Sequence, residues 1–177
     1  PVIHKSIIVG VYVFIYYNKL YKLLYFYFFM QFKEIDYLKK GYSERKEIIQ
    51  NRLKYFKDVW NEDDKRIFAE LCFCLLTPQS KAKICDAAIQ NLVKTGILFS
   101  GSEQDIKDYL IGVRFNNNKA KYIIQARELF SDKDGCINVK NKIKEFNNDH
   151  LRLREWLVNN VNGMAYKESG HFLRNIG

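Results

Sequence analysis

The chain has 177 residues, 47% of them hydrophobic and 28% charged, with a formal net charge of +9 at pH 7. That is one domain's length with enough apolar residues for a core, which excludes a globally disordered polypeptide. The basic balance suits a polyanionic partner, and it is spread along the chain: residues 1–29 contribute Lys5, Lys19 and Lys22 without a single acid, and the remainder is still basic.

Residues 1–29 are apolar, aromatic and free of acids, and the chain begins with Pro1. The uninterrupted run from Ile7 to Tyr17 is short for a membrane span, Asn18, Lys19 and Lys22 break up the apolar stretch beyond it, and no small-residue cleavage site precedes Met30. Three readings compete: a membrane anchor, an added helix packed on the domain, or translated upstream sequence with the native start at Met30. The third is preferred, so the expected organisation is an extension over 1–29 and one domain over 30–177.

From residue 30 the sequence reads as helices in series. Residues 31–58 are helix-compatible, with Ile48, Ile49, Leu53 and Phe56 at helical spacing. "NEDD" at 61–64 supplies a cap, and "KRIFAELCFCLL" comes next with Ile67, Leu71, Cys74 and Leu75 on one face. Thr77-Pro78 stops that helix. Ser80 is expected to cap the next, with Ile84, Ala87, Ala88 and Leu92 inward and Gly96 as its end. "SEQD" at 102–105 has capping-box spacing and opens a short helix up to Gly112. "VRFNNN" reads as a loop. The next helix, 119–130, puts Ile123, Ala126 and Phe130 inward and leaves Lys119, Lys121 and Arg127 outside. Residues 131–141 are turn-like, and Lys142 to Phe146 is a short helical turn. Asp149 caps "HLRLREWLVNN", in which Leu153, Trp156, Leu157 and Asn160 share a face. "VNGMAY" turns, and "KESGHFLRNIG" resumes helix. The expected fold class is all-α, made of packed helical hairpins joined by short connections.

Cys72, Cys74, Cys85 and Cys136 form no CxxC, and His4, His150 and His171 have no ligand spacing. The cysteines are read as buried reduced thiols, and neither a metal, an iron–sulfur cluster nor another cofactor is expected.

The last two helices carry the chemistry. Gly163 lets the turn between them adopt a positive φ, and the turn's N–H groups with the amino end of the second helix make an anion site suited to a phosphate. Lys167 stands at that amino end. An ammonium is disfavoured against the positive end of a helix, and more so if partly buried, which leaves a nucleophilic amine able to form a Schiff base. Lys167, Gly170, His171 and Arg174 share a polar face, while Phe172, Leu173 and Ile176 are core.

"NGMAYKESGHFLRNIG" at 162–177 resembles the catalytic hairpin of the single-domain archaeal and bacterial 8-oxoguanine DNA glycosylase/lyase family, of the helix-hairpin-helix glycosylase superfamily. Gly163, Tyr166, Lys167, Glu168, His171, Phe172, Leu173, Arg174, Asn175 and Gly177 match its pattern in register. "ELCFCLLTPQSKA" at 70–82 and "VRFNNNKAKYIIQAR" at 113–127 resemble the family more loosely, so that the likeness spans about 34–177. The resemblance implies the helix-hairpin-helix glycosylase fold and a base-excision repair enzyme acting on double-stranded DNA with oxidised guanine. It makes Lys167 the catalytic residue that attacks C1′ and holds the sugar as a Schiff base before β-elimination nicks the strand. It makes Gly163 and Ala165 the backbone that meets phosphate, Gln79 and Phe115 candidates to fill the gap left by a flipped base, and Arg174 a further DNA-binding residue. A monomer in the cytoplasm, associated with the nucleoid, is expected, with membrane contact through 1–29 as the less favoured alternative.

Three departures stand out. Ala165 occupies a position where the family usually has glycine. Ser169-Gly170 replaces Ala-Ser, a mild helix penalty. The family's aspartate, in an Asp-Arg-His-type motif soon after the Gly177 equivalent, has no counterpart here, nor has the carboxy-terminal segment of the base pocket; the expectation is a truncated reading frame with impaired excision. The rival readings are a helix-hairpin-helix DNA-binding module without chemistry and an endonuclease III-type glycosylase for oxidised pyrimidines.

Overall fold

Asp63 starts the helix around which the rest is built: its carboxylate accepts the Arg66 backbone N–H at 2.8 Å, and Asp64 adds an acid to the first turn. In the computed structural model, which describes residues 35–177, the elements are all helices. They are α1 (35–59), α2 (Asp64–Leu76), α3 (Ala82–Thr95), α4 (Ile97–Ser100), α5 (Glu103–Tyr109), α6 (Asn116–Phe130), α7 (Val139–Lys144), α8 (His150–Asn160) and α9 (Tyr166–Asn175). The hydrophobic stretch 1–29, with its anchor and upstream-sequence readings, lies outside the described residues.

The chain divides into two units, Pro1–Asn51 and Arg52–Gly177. In the first, the described residues are helical, and Tyr37, Leu38, Ile48 and Ile49 are exposed. In the second, Phe56 and Val59 are buried and Leu53 is exposed. Of the four residues at helical spacing in 31–58, therefore, Phe56 alone enters the core; apolar spacing marks a potential face, and burial requires something to cover it.

Within the second unit α2 is the central element. It packs against α3, α6, α7 and α9. Ile67, Leu71, Cys74 and Leu75 are buried as expected, but so are Phe68, Ala69, Cys72 and Leu76 on the other sides, because neighbours surround the helix. Thr77 closes it before Pro78. On α3 the buried residues are Cys85, Ala88, Ile89 and Leu92; Ala87 is exposed and Ile84 half-buried, a rotation of the expected face. Gly96, at φ 78°, ends α3. Ser102 and Asp105 form the capping box of α5, with the Ser102 hydroxyl accepting the Asp105 N–H and the Asp105 carboxylate accepting the Ser102 N–H.

Three further local expectations are corrected. Asn116–Asn118 are the first turn of α6 and not loop, because Phe115, at φ 59°, turns the chain one residue earlier. Ser80 does not cap α3, whose N-cap is Lys81 without a side-chain bond; the Ser80 hydroxyl faces the other way. Between α6 and α7 the chain makes one antiparallel bridge, Ser131 to Ile137, around a turn in which Asp132 Oδ1 accepts the N–H groups of Asp134 and Cys136. Arg127 is half-buried and donates to the Gly101 carbonyl at 2.8 Å, so it ties α6 to the α4–α5 connection instead of standing outside. No helix among the described residues is long and apolar enough to cross a membrane.

Cys72, Cys74 and Cys85 are buried, but Cys136 is exposed on the bridge turn, contrary to the reading of all four as buried. Burial pushes the Cys74 thiol up to about 12, with the Glu70 carboxylate acting the same way and Arg174 opposing it. Burial also raises Cys72 and Cys85. A thiol reagent at pH 8 is expected to label Cys136 at once and the other three only in denaturant, as counted by mass spectrometry. Leu71→Ala, in a fully buried site, is expected to destabilise by about 2–5 kcal/mol in urea titrations. Ile111→Ala, at an exposed site, should stay within about 0.5 kcal/mol.

Candidate nucleic-acid interface

The turn between α8 and α9 is closed by short backbone bonds. Asp149 caps α8 through the Arg152 N–H, the Val161 N–H ends it on the Leu157 carbonyl, and the Met164 N–H returns to the Val161 carbonyl. Met164 is buried and anchors the turn. The first-turn N–H groups of α9, from Tyr166 to Glu168, and those of Gly163 and Ala165 have no backbone acceptor among the described residues. They form the cluster of free donors expected of an anion-binding turn.

Glycine at 163 is dictated twice. Its φ is +83°, and a β-carbon there would sit 2.3 Å from Cδ2 of the Tyr122 ring on α6. Asn162 binds the same helix through Gln125 at 3.0 Å. Ala165 is different: at φ −104° and ψ −178° its backbone is ordinary extended chain, so the methyl that departs from the family pattern costs nothing conformationally.

Lys167 is the second residue of α9, where the sequence puts it. Its side chain is exposed, not partly buried, and makes no hydrogen bond or ion pair among the described residues. The helix around it is held elsewhere. Arg154 of α8 donates from Nη2 and Nε to the Tyr166 carbonyl, at 2.7 and 3.1 Å, and lies over the Tyr166 ring. At the other end Asn175 is buried, and its Nδ2 donates to Glu70 Oε1 on α2 at 2.7 Å. Arg174, two turns from Lys167, donates to Asn175 Oδ1 and lies over the Phe56 ring.

Gln79, Phe115 and Gly163 converge although they lie far apart in the chain. With Leu75, Pro78, Asn118, Lys119 and Tyr122 they line a cleft of about 200 Å3. Arg174 and Lys167 are not among its lining residues. Gln79 and Phe115 are both exposed, and both are non-glycine residues in the left-handed region, at φ 55° and 59°. Such backbone costs about 1–2 kcal/mol per residue and concentrates at functional sites.

What holds the two loops is Lys119, which sequence reasoning put on the outside and the structure buries to 4% exposure. Its Nζ donates to the Leu76 carbonyl at 2.7 Å, the Pro78 carbonyl at 2.7 Å and the Ser80 hydroxyl at 3.0 Å. Burial lowers the affinity of this amine for its proton relative to an ordinary lysine; nearby Arg114 does the same, and Cys85 acts the other way. The signal was present in the spacing: Lys119 stands four residues before Ile123 and eleven before Phe130, on the phase that buries Ile123, Ala126 and Phe130. Nothing local in the sequence distinguishes Tyr122 or Arg154. Among the described residues no group of three His, Cys, Asp or Glu side chains is arranged to hold a metal ion.

The fold and this turn define the class, an all-α protein of helix-hairpin-helix type. A family model described as 8-oxoguanine DNA glycosylase matches residues 49–177, and the chain belongs to that family. A relative from Fusobacterium nucleatum, named 8-oxoguanine DNA glycosylase/AP lyase, is 44% identical over 147 residues, which is 82% of this chain and 65% of the relative. A Methanocaldococcus jannaschii protein of the same name is 38% identical over 149 residues, 84% of this chain and 67% of its own. The crystal structure of Methanocaldococcus jannaschii 8-oxoguanine DNA glycosylase matches with TM-score 0.70 and 33% identity, over 84% of this chain and 64% of that one. The glycosylase/lyase from that organism in complex with 15mer DNA containing 8-oxoguanine matches with the same TM-score, over 84% and 67%. The chain thus spans about two thirds of the length of the relatives it matches.

Gly163→Ala is expected to destabilise by about 2–4 kcal/mol, combining left-handed strain with the clash on Tyr122. Gly135→Ala, at φ +76° with open space around it, carries the strain alone and should cost about 1–2 kcal/mol. Denaturant titrations of the two variants separate the two contributions.

Proposed function

We propose that the chain binds double-stranded DNA and acts on oxidised guanine, with Lys167 as the nucleophile of a bifunctional glycosylase and lyase. The observation that carries the reading is the placement of Lys167 in the first turn of α9, directly after a glycine turn rich in free N–H donors. Membership of the family and the relatives' shared name support it. Gly163 and Ala165 present their amides to a phosphate, and the amino end of α9 adds its partial positive charge. Gln79 and Phe115, raised on left-handed backbone across the cleft from Gly163, fill the space that an extruded nucleotide leaves in the duplex. Arg174 adds positive charge to the same helix.

In this reading the Lys167 amine attacks C1′ as the bond to the base breaks. The departing base takes the bonding pair and a proton, and the sugar ring opens to an imine on Nζ. Loss of a C2′ proton then expels the 3′ phosphate and leaves a nick. On a preformed abasic site the same amine condenses with the C1′ aldehyde and releases water. The donors of the hairpin hold the backbone while the nucleotide is out of the stack, and the exposed Lys167 side chain is free to reach it.

Incubation of the chain with abasic-site duplex and borohydride tests this. A covalent protein–DNA adduct is expected, reduced to background by Lys167→Ala while salt-dependent duplex affinity persists. Salt-dependent binding with no adduct from the parent chain would instead mark a helix-hairpin-helix binder without chemistry.

A further inference from the structure

Resting on the gap-filling roles given to Gln79 and Phe115, we propose that Lys119 is the positioning residue that sets both side chains together. The two candidates sit in separate connections, one after α2 and one before α6. Lys119 is bonded to both. Its ammonium donates to residues on either side of Gln79, at the Pro78 carbonyl and the Ser80 hydroxyl, and to the Leu76 carbonyl at the end of α2. Its backbone N–H donates to the Phe115 carbonyl at 3.0 Å. The Ser80 hydroxyl completes the link by accepting the Arg114 N–H at 3.0 Å, next to Phe115.

Three ammonium protons meet three acceptors, so the charge has no donor left for a phosphate, and at 4% exposure it is closed off from one. Its positive charge therefore serves the loops and not the DNA directly. Charge-assisted bonds are short and directional, and here they fix the loop that bears Gln79, at φ 55°, against the start of α6, where Phe115 stands at φ 59°. Losing the Lys119 side chain frees the loop that bears Gln79 and the Ser80 hydroxyl that ties this loop to Arg114 beside Phe115, while the backbone bond from residue 119 to the Phe115 carbonyl stays in place.

The test uses the 177-residue chain on a duplex with 2-aminopurine stacked beside an abasic site, where insertion of side chains raises the fluorescence. The parent chain is expected to raise it severalfold. Lys119→Met should lose most of that rise while its affinity for undamaged duplex stays within about twofold, since phosphate contacts supply non-specific binding. The Gln79→Ala/Phe115→Ala pair should lose the rise too, and adding Lys119→Met to the pair should change nothing further, the signature of one device. Ser80→Ala, which removes one acceptor, should give an intermediate response and carries the test if Lys119→Met does not fold. The proposal is overturned if the parent chain gives no rise, if a folded Lys119→Met or Ser80→Ala chain keeps the full rise, or if the Lys119 and pair effects add. An adduct at Lys167 with an unaltered response in Lys119→Met rejects this inference and leaves the lysine chemistry standing. A Lys119-dependent response without an adduct does the reverse.

Discussion

The hydrogen bond between Glu70 and Asn175 joins the central helix α2 to α9, the helix that bears Lys167. α2 is surrounded by neighbours, so Glu70 sits on a helix with almost no solvent-facing side and is itself buried. A buried carboxylate must be matched by donors. Asn175 supplies one at 2.7 Å and Arg66 another at 3.2 Å. Asn175 lies in the last turn of α9, so the need to satisfy Glu70 fixes one end of the helix whose other end carries Lys167. Arg154, bonded to the Tyr166 carbonyl, fixes that other end. An exposed lysine is thus mounted on a helix bonded to its neighbours near both termini.

The same economy appears across the cleft. A buried lysine is normally a liability, and so are two left-handed side-chain-bearing residues. Together they become a stable arrangement, because the carbonyls freed where α2 stops are the acceptors that the ammonium requires. The helix end and the buried charge each resolve the other's unsatisfied polar groups. No buried side-chain nitrogen or oxygen among the described residues is left without a partner.

Local signals in the sequence carried a large share of this. Asp63, Ser102 with Asp105, Asp149 and Gly96 begin or end helices where their chemistry says they should, since a cap depends on three or four adjacent residues. The hairpin was legible for the same reason: a glycine turn and the helix start after it are neighbours in the chain. What escaped depends on distant partners. Ser80 looks like a cap until Lys119 and the Arg114 N–H, more than thirty residues away, claim its hydroxyl. Lys119 looks solvated until the loop after α2 closes over it. Ile48, Ile49 and Leu53 have the spacing of a buried face and remain exposed, because periodicity cannot reveal whether a covering element arrives. The cleft, which collects residues from three connections, has no linear signature at all.

The single antiparallel bridge after α6 places Cys136 in solvent while the other three thiols are enclosed. The chain thereby carries a natural attachment point for a fluorophore or spin label. Because that turn belongs neither to the cleft nor to the α8–α9 hairpin, a dye fixed there can register the approach of a labelled duplex by energy transfer without altering the surfaces proposed to grip it.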